Sequence, residues 1–227
     1  MKKYIKLSTI ALGFAALLVC AICWAAGCGG HEMMLATFAP CLGSIADNIA
    51  QDCDNPRVVG YETTALIFNR DDIDWSSVTV DSTNKRKVKT IAVNSGAKPY
   101  VIYNPKVNPA PFNGTNTAFS TDKGRYTKTL QFYFEGIGAD ASMNVVEPLA
   151  NGSYLVILQR KDHTGDGSFQ IMGYQTGLVA SAQVQDEETG YWLITMDCSE
   201  PSAEVAFFDT DYATTKAAFD TLLALVP

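Results

Sequence analysis

The feature that most constrains the fold is an alternation of side chains within the segment from Arg125 to Glu135. Leu130, Phe132 and Phe134 alternate with Thr129, Gln131 and Tyr133. Successive side chains of a strand point to opposite faces, so this pattern predicts a strand with one buried face. A β-sheet is therefore part of the fold.

Further runs of β-branched and aromatic residues, bounded by turn-forming residues, predict more strands. These runs lie at 58–68, 88–93, 100–103, 154–159, 169–174, 178–185, 191–196 and 204–208. Loops at 162–167 and 186–190 have lengths that suit hairpins. Together they indicate a mainly β (α+β) fold, a β-sandwich or barrel of about eight strands.

Short flanking helices and a C-terminal helix complete the predicted fold. The spacing of apolar residues predicts helices at 44–51 and 140–150, the latter with Met143 and Val146 facing inward. From about Tyr212, apolar residues form one stripe that predicts a helix packed on a sheet.

Residues 104–124 interrupt this pattern. They hold Pro105, Pro109, Pro111, Gly114 and Gly124 among Asn, Thr and Ser. We expect a loop of about twenty residues, a length that often serves binding or assembly. A surface excursion without such a role is the alternative.

Residues 1–32 have the composition of an export leader. Three lysines precede an apolar stretch at 7–26, which ends in Ala25-Ala26-Gly27-Cys28. This is the order of parts in a secretory signal. Small residues before a cysteine also suggest lipidation at Cys28, although such sites usually carry Leu where Ala25 stands. An uncleaved membrane span is a further interpretation, because about 20 apolar residues can cross a bilayer.

A start-site error is the competing interpretation of this leader. The codons of Gly29 and Gly30 can read as a ribosome-binding sequence, with His31 and Glu32 as spacer before a true start at Met33 or Met34. Both interpretations leave residues 33–227 as a single β-rich domain, a length that fits one domain.

The net charge and the cysteines of this domain exclude some classes of protein. Without residues 1–32, the 17 basic and 24 acidic residues of the chain become 14 and 23, a formal net charge of −9. A nucleic-acid binder needs clustered Lys and Arg, so this balance argues against one. Three scattered cysteines, Cys41, Cys53 and Cys198, do not resemble a disulfide framework and fit a reducing compartment better.

No residue pattern in the domain indicates catalysis or cofactor binding. It contains no nucleotide-binding glycine motif, no GxSxG, no HExxH and no CxxC. His163 stands in a predicted hairpin turn, where a solvated side chain is the expected state. The turn from Asp162 to Gly167 resembles the start of an EF-hand loop, but Gly173 occupies the position of the required Glu. The sequence therefore predicts no enzyme, no cofactor and no metal site.

Five parts of the chain carry a resemblance to a known family: the segments 52–56, 68–74, 169–178 and 191–196, and the short predicted helix that leads into residues 154–160. They resemble the major tail tube proteins of phages and prophages of Bacteroides-type bacteria, and the resemblance covers most of the chain from Leu35 to Phe208. It implies a virion structural protein, assembled in the host cytoplasm, that forms homo-oligomeric rings and contacts other tail proteins. The resemblance also implies a central channel through which DNA passes without being bound, and the negative net charge of the domain is similar to what such a channel requires.

The resemblance also gives the predicted loop a role in assembly. We expect Phe112 and Phe119 to contact a neighbouring subunit, with the loop folding on that neighbour. If the leader is genuine, the alternative is a lipoprotein of the bacterial envelope, with a β-sandwich binding or adhesion domain anchored to the membrane at Cys28. An exported enzyme of unfamiliar type is a third hypothesis.

Overall fold

The regular structure of the described residues consists of two β-sheets and two helical segments. The structure is a computed structural model that describes residues 57–104, 109–121 and 124–227. The predicted helix at 44–51, together with Cys28, Cys41 and Cys53, lies outside these residues.

The strands follow one another along the chain in eleven segments. They are β1 (Tyr61–Asn69), β2 (Thr79–Val80), β3 (Lys87–Thr90), β4 (Tyr100–Tyr103), β5 (Asn116–Ser120), β6 (Arg125–Glu135), β7 (Tyr154–Arg160), β8 (Phe169–Met172), β9 (Val179–Asp186), β10 (Tyr191–Glu200) and β11 (Val205–Phe207). One sheet has seven strands in the order β2-β3-β11-β8-β7-β1-β4, and the other has four in the order β5-β6-β10-β9.

The helical segments lie between β6 and β7 and at the C-terminus. The first is continuous and has three parts, α1 (Ala139–Ala141), a π-helical turn (Ser142–Val146) and α2 (Glu147–Asn151). The C-terminal helix is α3 (Tyr212–Leu223). Short 3₁₀ turns occupy Arg70–Asp72 and Gly165–Gly167.

The centre of the fold is β7, whose residues from Tyr154 to Gln159 are all buried. Val156 and Leu158 face a core shared with the four-stranded sheet, and Leu155 and Ile157 face a core covered by α3. A strand covered on both faces reads as a continuous apolar run, which explains the sequence Tyr-Leu-Val-Ile-Leu. The described residues thus form three layers, with the seven-stranded sheet in the middle.

Helix α3 begins where Asp211 caps it. The Asp211 carboxylate accepts a hydrogen bond from the Thr214 backbone N–H at 2.7 Å, which satisfies one of the free donors of the first turn. This bond also lowers the pKa of the Asp211 carboxyl. Phe219 and Leu222 are buried against the seven-stranded sheet, as the predicted apolar stripe requires.

The predicted fold class is confirmed. The described chain is mainly β, with a sandwich-like pair of sheets rather than a closed barrel, few helices and a C-terminal helix. Both predicted hairpins are present as antiparallel pairs, β7 with β8 and β9 with β10.

Two details differ from the prediction. The segment 104–124 contains strand β5, which pairs with β6 from Asn116 to Ser120. Met143 is not inward-facing but 60% exposed, whereas Val146 is buried. The cause is the π-helical turn, in which the Glu147 N–H bonds to the Ser142 carbonyl five residues back, so the spacing of an ordinary helix no longer applies.

Candidate functional site

A cavity of about 740 Å³ opens at the edge of the seven-stranded sheet. Its walls come from β4, from the C-terminal half of β6 and from the helical segment before β7. Its lining is mostly apolar and aromatic: Ile67, Asn69, Tyr100, Val101, Ile102, Tyr103, Asn104, Phe132, Tyr133, Phe134, Glu135, Asn144, Val145, Pro148, Leu149, Tyr154 and Tyr191. A volume and lining of this kind are typical of small-molecule sites.

Asn104 is the buried polar residue of this cavity. Its backbone N–H bonds to the Thr63 carbonyl at 2.8 Å, which continues the β1–β4 ladder and fixes the residue. The residue is 1% exposed, and within the described ranges its amide nitrogen Nδ2 has no hydrogen-bond partner. A buried donor without a partner is costly, so its retention calls for an explanation.

Other polar groups of the cavity wall are engaged within the protein. The Tyr154 hydroxyl donates to the Pro148 carbonyl at 2.6 Å, and burial raises the pKa of Tyr154. The Asn69 amide donates to Asp72 at 2.7 Å. Among the described residues that line the cavity, Glu135 is the one that carries a charge.

The π-helical turn forms one wall of the cavity through Asn144 and Val145. Gln183 on β9 donates its side-chain N–H to the Val146 carbonyl at 2.9 Å and ties this turn to the four-stranded sheet. Single π-helical turns occur frequently at functional sites, because they displace side chains from the helical register.

The outer face of the four-stranded sheet is polar. Thr129 donates to Asp197 at 2.6 Å and Gln131 donates to Thr195 at 3.3 Å, so neighbouring strands are linked by side-chain hydrogen bonds. Apart from the buried Lys128, Arg125 is the one basic residue on these four strands. The face is thus hydrogen-bonded, nearly without positive charge, and not covered by another described element.

The two edges of this sheet are open among the residues that the structure describes. β5 pairs with β6 alone, and β9 pairs with β10 alone. Along β9, Val179 and Val184 are exposed apolar side chains. Open edges offer backbone donors and acceptors to another strand.

A buried ion pair lies beneath the same sheet. Lys128 on β6 and Glu200 on β10 meet at 2.5 Å, and both side chains are fully buried. Glu200 also accepts from the Gln175 backbone N–H at 2.9 Å. The pKa of the nearby Cys198 thiol is raised to about 11, mainly because the thiol is buried and also because it lies near the negative charge of Glu200. The thiol is therefore protonated at neutral pH and is a poor nucleophile.

A smaller cavity of about 390 Å³ lies beside β5. Its polar wall is internally paired, because Tyr61 donates to Gln170 at 3.0 Å and Arg160 pairs with Glu204 at 2.5 Å. Phe119 borders it and contacts Tyr126 edge-on, with ring centroids 5.2 Å apart.

The two residues predicted to contact a neighbouring subunit have different surroundings. Phe119 is 57% exposed on the edge strand β5. Phe112 is buried in the core of its own chain, where its ring meets Tyr61 edge-on at 6.1 Å, and its backbone adopts φ +54°, an unusual conformation for an aromatic residue. The described part of the loop around Phe112 thus folds on its own chain, contrary to the prediction for this residue.

The remaining candidates from the sequence form no catalytic arrangement in the described residues. His163 stacks on Tyr212 at 4.4 Å and lies 3.5 Å from Glu62, half exposed. Asp162 accepts bonds from Thr164 and pairs with Arg57 at 3.3 Å. Within the described ranges, no group of three or more His, Cys, Asp or Glu residues is placed to hold a metal ion.

Sequence reasoning did not find the cavity or Asn104. An asparagine between a short apolar strand and a proline-rich segment has ordinary turn composition, so no local signal sets it apart. The cavity is built by residues more than 80 positions apart, such as Ile67 and Leu149.

Comparisons with known proteins identify no relative. No family model, no curated protein and no solved structure matches this chain. Among the described residues, no helix has the length and apolar character needed to span a membrane.

Proposed function

We propose that this chain is a non-enzymatic structural subunit that assembles with copies of itself into rings or tubes, of the bacteriophage tail-tube type. The observation that carries the proposal is the four-stranded sheet, whose edge strands β5 and β9 have no second strand partner among the described residues and whose outer face is largely polar. Both features belong to one surface, as a ring of subunits with a solvent-filled bore requires.

The open edges supply the means of assembly. A strand edge left unpaired is a template for pairing with another chain, and soluble monomers usually protect it. β9 has eight residues with exposed Val179 and Val184, and no Lys, Arg or Pro protects it. Edge-to-edge pairing of β9 with β5 of the next subunit would extend the four-stranded sheet around a ring.

The charge of the outer face supports a channel for DNA. Asp186 and Asp197 outweigh the lone basic residue Arg125, and the domain from residue 33 is acidic overall. A wall with little positive charge lets a polyanion pass without sticking.

The test is to express residues 33–227 in the cytoplasm and to examine the product by light scattering after size exclusion and by negative-stain electron microscopy. We expect rings or tubes that form with increasing concentration. A monomer at all concentrations would contradict the proposal.

A second candidate follows from the leader and the open cavity together. In an envelope lipoprotein, small residues precede the cysteine that becomes acylated, and small residues also precede Cys28 in this chain. A binding domain needs a cavity, and one of suitable size lies beside β4. The full-length chain would then fractionate with membranes and Cys28→Ser would release it, whereas a tail subunit would show no change with Cys28→Ser.

A further inference from the structure

We propose that Asn113 is a site of spontaneous, non-enzymatic modification, at which the side-chain amide is converted to a carboxylate. The sequence contains Asn followed by Gly twice, as Asn113-Gly114 and Asn151-Gly152. Both asparagines are exposed. The structure holds their reacting atoms in opposite ways, so the same dipeptide should react at one position and persist at the other. The inference does not depend on how the protein assembles.

The reaction needs only water. The backbone nitrogen of the following residue loses its proton to hydroxide and attacks the side-chain carbon Cγ of the asparagine. A new C–N bond forms, the bond from Cγ to Nδ2 breaks, and the released nitrogen takes up a proton from water and leaves as ammonia. Water then opens the cyclic imide at either carbonyl, which gives aspartate or isoaspartate. A following glycine favours the attack, because it has no Cβ to obstruct the approach.

The reacting atoms of Asn113-Gly114 are not engaged by any described residue. The asparagine lies in a turn with two backbone hydrogen bonds of 3.1 Å, from the Asn113 N–H to the Ala110 carbonyl and from the Thr115 N–H to the Phe112 carbonyl. Neither bond uses the Gly114 N–H, and no described residue bonds to this N–H or to the side-chain amide of Asn113. Both residues are exposed, so water and hydroxide reach the site.

The same atoms of Asn151-Gly152 are held by α2. The Gly152 N–H donates to the Pro148 carbonyl at 2.9 Å, so the attacking nitrogen is engaged. Asn151 Nδ2 donates to the Glu147 carbonyl at 2.9 Å, so the leaving group is engaged as well. Asn151 is also the last residue of α2, and its backbone dihedrals are fixed by the helix. Reaction here requires the last turn of α2 to open first.

The modification would place a charge beside the four-stranded sheet. Gly114 lies against β6, because a Cβ added to this glycine would stand 1.8 Å from Oε1 of Gln131. Gln131 belongs to the polar outer face of the sheet, where it donates to Thr195. A carboxylate at residue 113 adds negative charge at the border of that face. Isoaspartate also lengthens the backbone within the turn between the buried Phe112 and β5.

The test incubates the full-length chain at mildly alkaline pH and follows both dipeptides by peptide mapping with mass spectrometry, which separates asparagine, aspartate and isoaspartate. We expect Asn113 to convert at least about tenfold faster than Asn151, because two hydrogen bonds must break before Asn151 can react. In guanidinium chloride, where α2 is unfolded, the two rates should be similar. Equal rates in the native protein, or no conversion of Asn113 in the time that the unfolded chain needs to react completely, would overturn the proposal.

Two matched variants assign the charge change to this position. Asn113→Ser removes the reacting amide and keeps a small polar side chain in the turn, so its native form should not accumulate the acidic species that isoelectric focusing resolves in the wild type. Asn151→Ser should accumulate that species at the wild-type rate. Accumulation in Asn113→Ser at the wild-type rate, or its loss in Asn151→Ser, would place the modification elsewhere in the chain. The peptide map of the wild type decides the question even if a variant fails to fold.

Discussion

Lys128 and Glu200 show how a single residue's environment is set by its neighbours. Lys128 lies on the same face of β6 as Leu130 and Phe132, and the alternation of the strand therefore directs its ammonium group into the core. Glu200 provides the compensating charge at 2.5 Å. A buried pair of this kind contributes little net stability, but each charge depends on the other.

Removal of one partner should be far more harmful than removal of both. Lys128→Met leaves the Glu200 carboxylate buried and uncompensated, so we expect the free energy of unfolding to fall by about 3–5 kcal/mol in urea titrations. The double variant Lys128→Met/Glu200→Leu should recover most of this loss. Strict additivity of the two single variants would show that the charges are not coupled.

Cys198 gives a prediction for alkaline pH. Its thiol has a pKa raised to about 11 from a usual value of 9.0. Because the folded state holds this proton more tightly than the unfolded state, the stability it contributes is present below pH 9 and is lost as the pH rises towards 11. Tyr61, Tyr154 and Tyr174 also have raised pKa values, so their ionisation acts in the same direction.

A variant separates the thiol from the tyrosines. Between pH 9 and 11, the wild-type protein should lose more free energy of unfolding than Cys198→Ala, by no more than roughly 3 kcal/mol for a shift of this size. Parallel pH profiles of the two proteins would count against the buried thiol. In the folded state at pH 7, Cys198 should also react slowly with a thiol reagent and rapidly after denaturation.

At the scale of elements, α3 depends on packing more than on its own sequence. A helix of twelve residues is marginal in isolation. Phe219 packs against Phe169 of β8 with ring centroids 5.3 Å apart, and Leu222 is buried beside them. These contacts cover one face of the seven-stranded sheet.

Truncation of the Phe219 side chain should show how much its packing contributes to the free energy of unfolding. Phe219→Ala should lower the free energy of unfolding by about 3–5 kcal/mol, because it leaves a cavity between helix and sheet. Leu225→Ala, at an exposed position beyond the helix, should change it by less than about 0.5 kcal/mol. Chemical denaturation of both variants measures the difference; similar losses would mean that α3 is not anchored through Phe219.

At the scale of the whole molecule, the proposed assembly depends on the edge strands of the four-stranded sheet. Val184 is 59% exposed on β9, opposite Leu193 of β10. In a ring built by strand pairing, β9 approaches the next subunit. A lysine on an unpaired edge strand opposes the approach of another strand.

Lysine at Val184 should therefore block rings while leaving the fold intact. We expect Val184→Lys to remain monomeric in size exclusion with an unchanged circular dichroism spectrum, since a lysine on an edge strand opposes edge pairing. Val59→Lys places the same change at an exposed position outside the sheet and should assemble as wild type. Rings formed by Val184→Lys would rule out β9 as the assembling edge.

Part of the site could be predicted from sequence, and part could not. The strands β4 and β6 that border the cavity follow from local patterns, whereas β5, which carries the exposed Phe119, lies in a segment expected to be a loop. The burial of Phe112 does not, because its ring lies against Tyr61, some fifty residues earlier in the chain. The exposure of Met143 was also missed, since no local signal announces a π-helical turn.

What the sequence determined by itself is local. The alternation of β6, the apolar run of β7, the two hairpins and the capped helix α3 each follow from residues close together in the chain, where backbone propensity and side-chain spacing act directly. Only the tertiary structure decided which strands share a sheet, such as the parallel pairing of β11 with β3, more than 100 residues away. The burial of Asn104 and the Lys128–Glu200 pair depend on that assembly, because a side chain's environment is set by distant segments that compete to cover it.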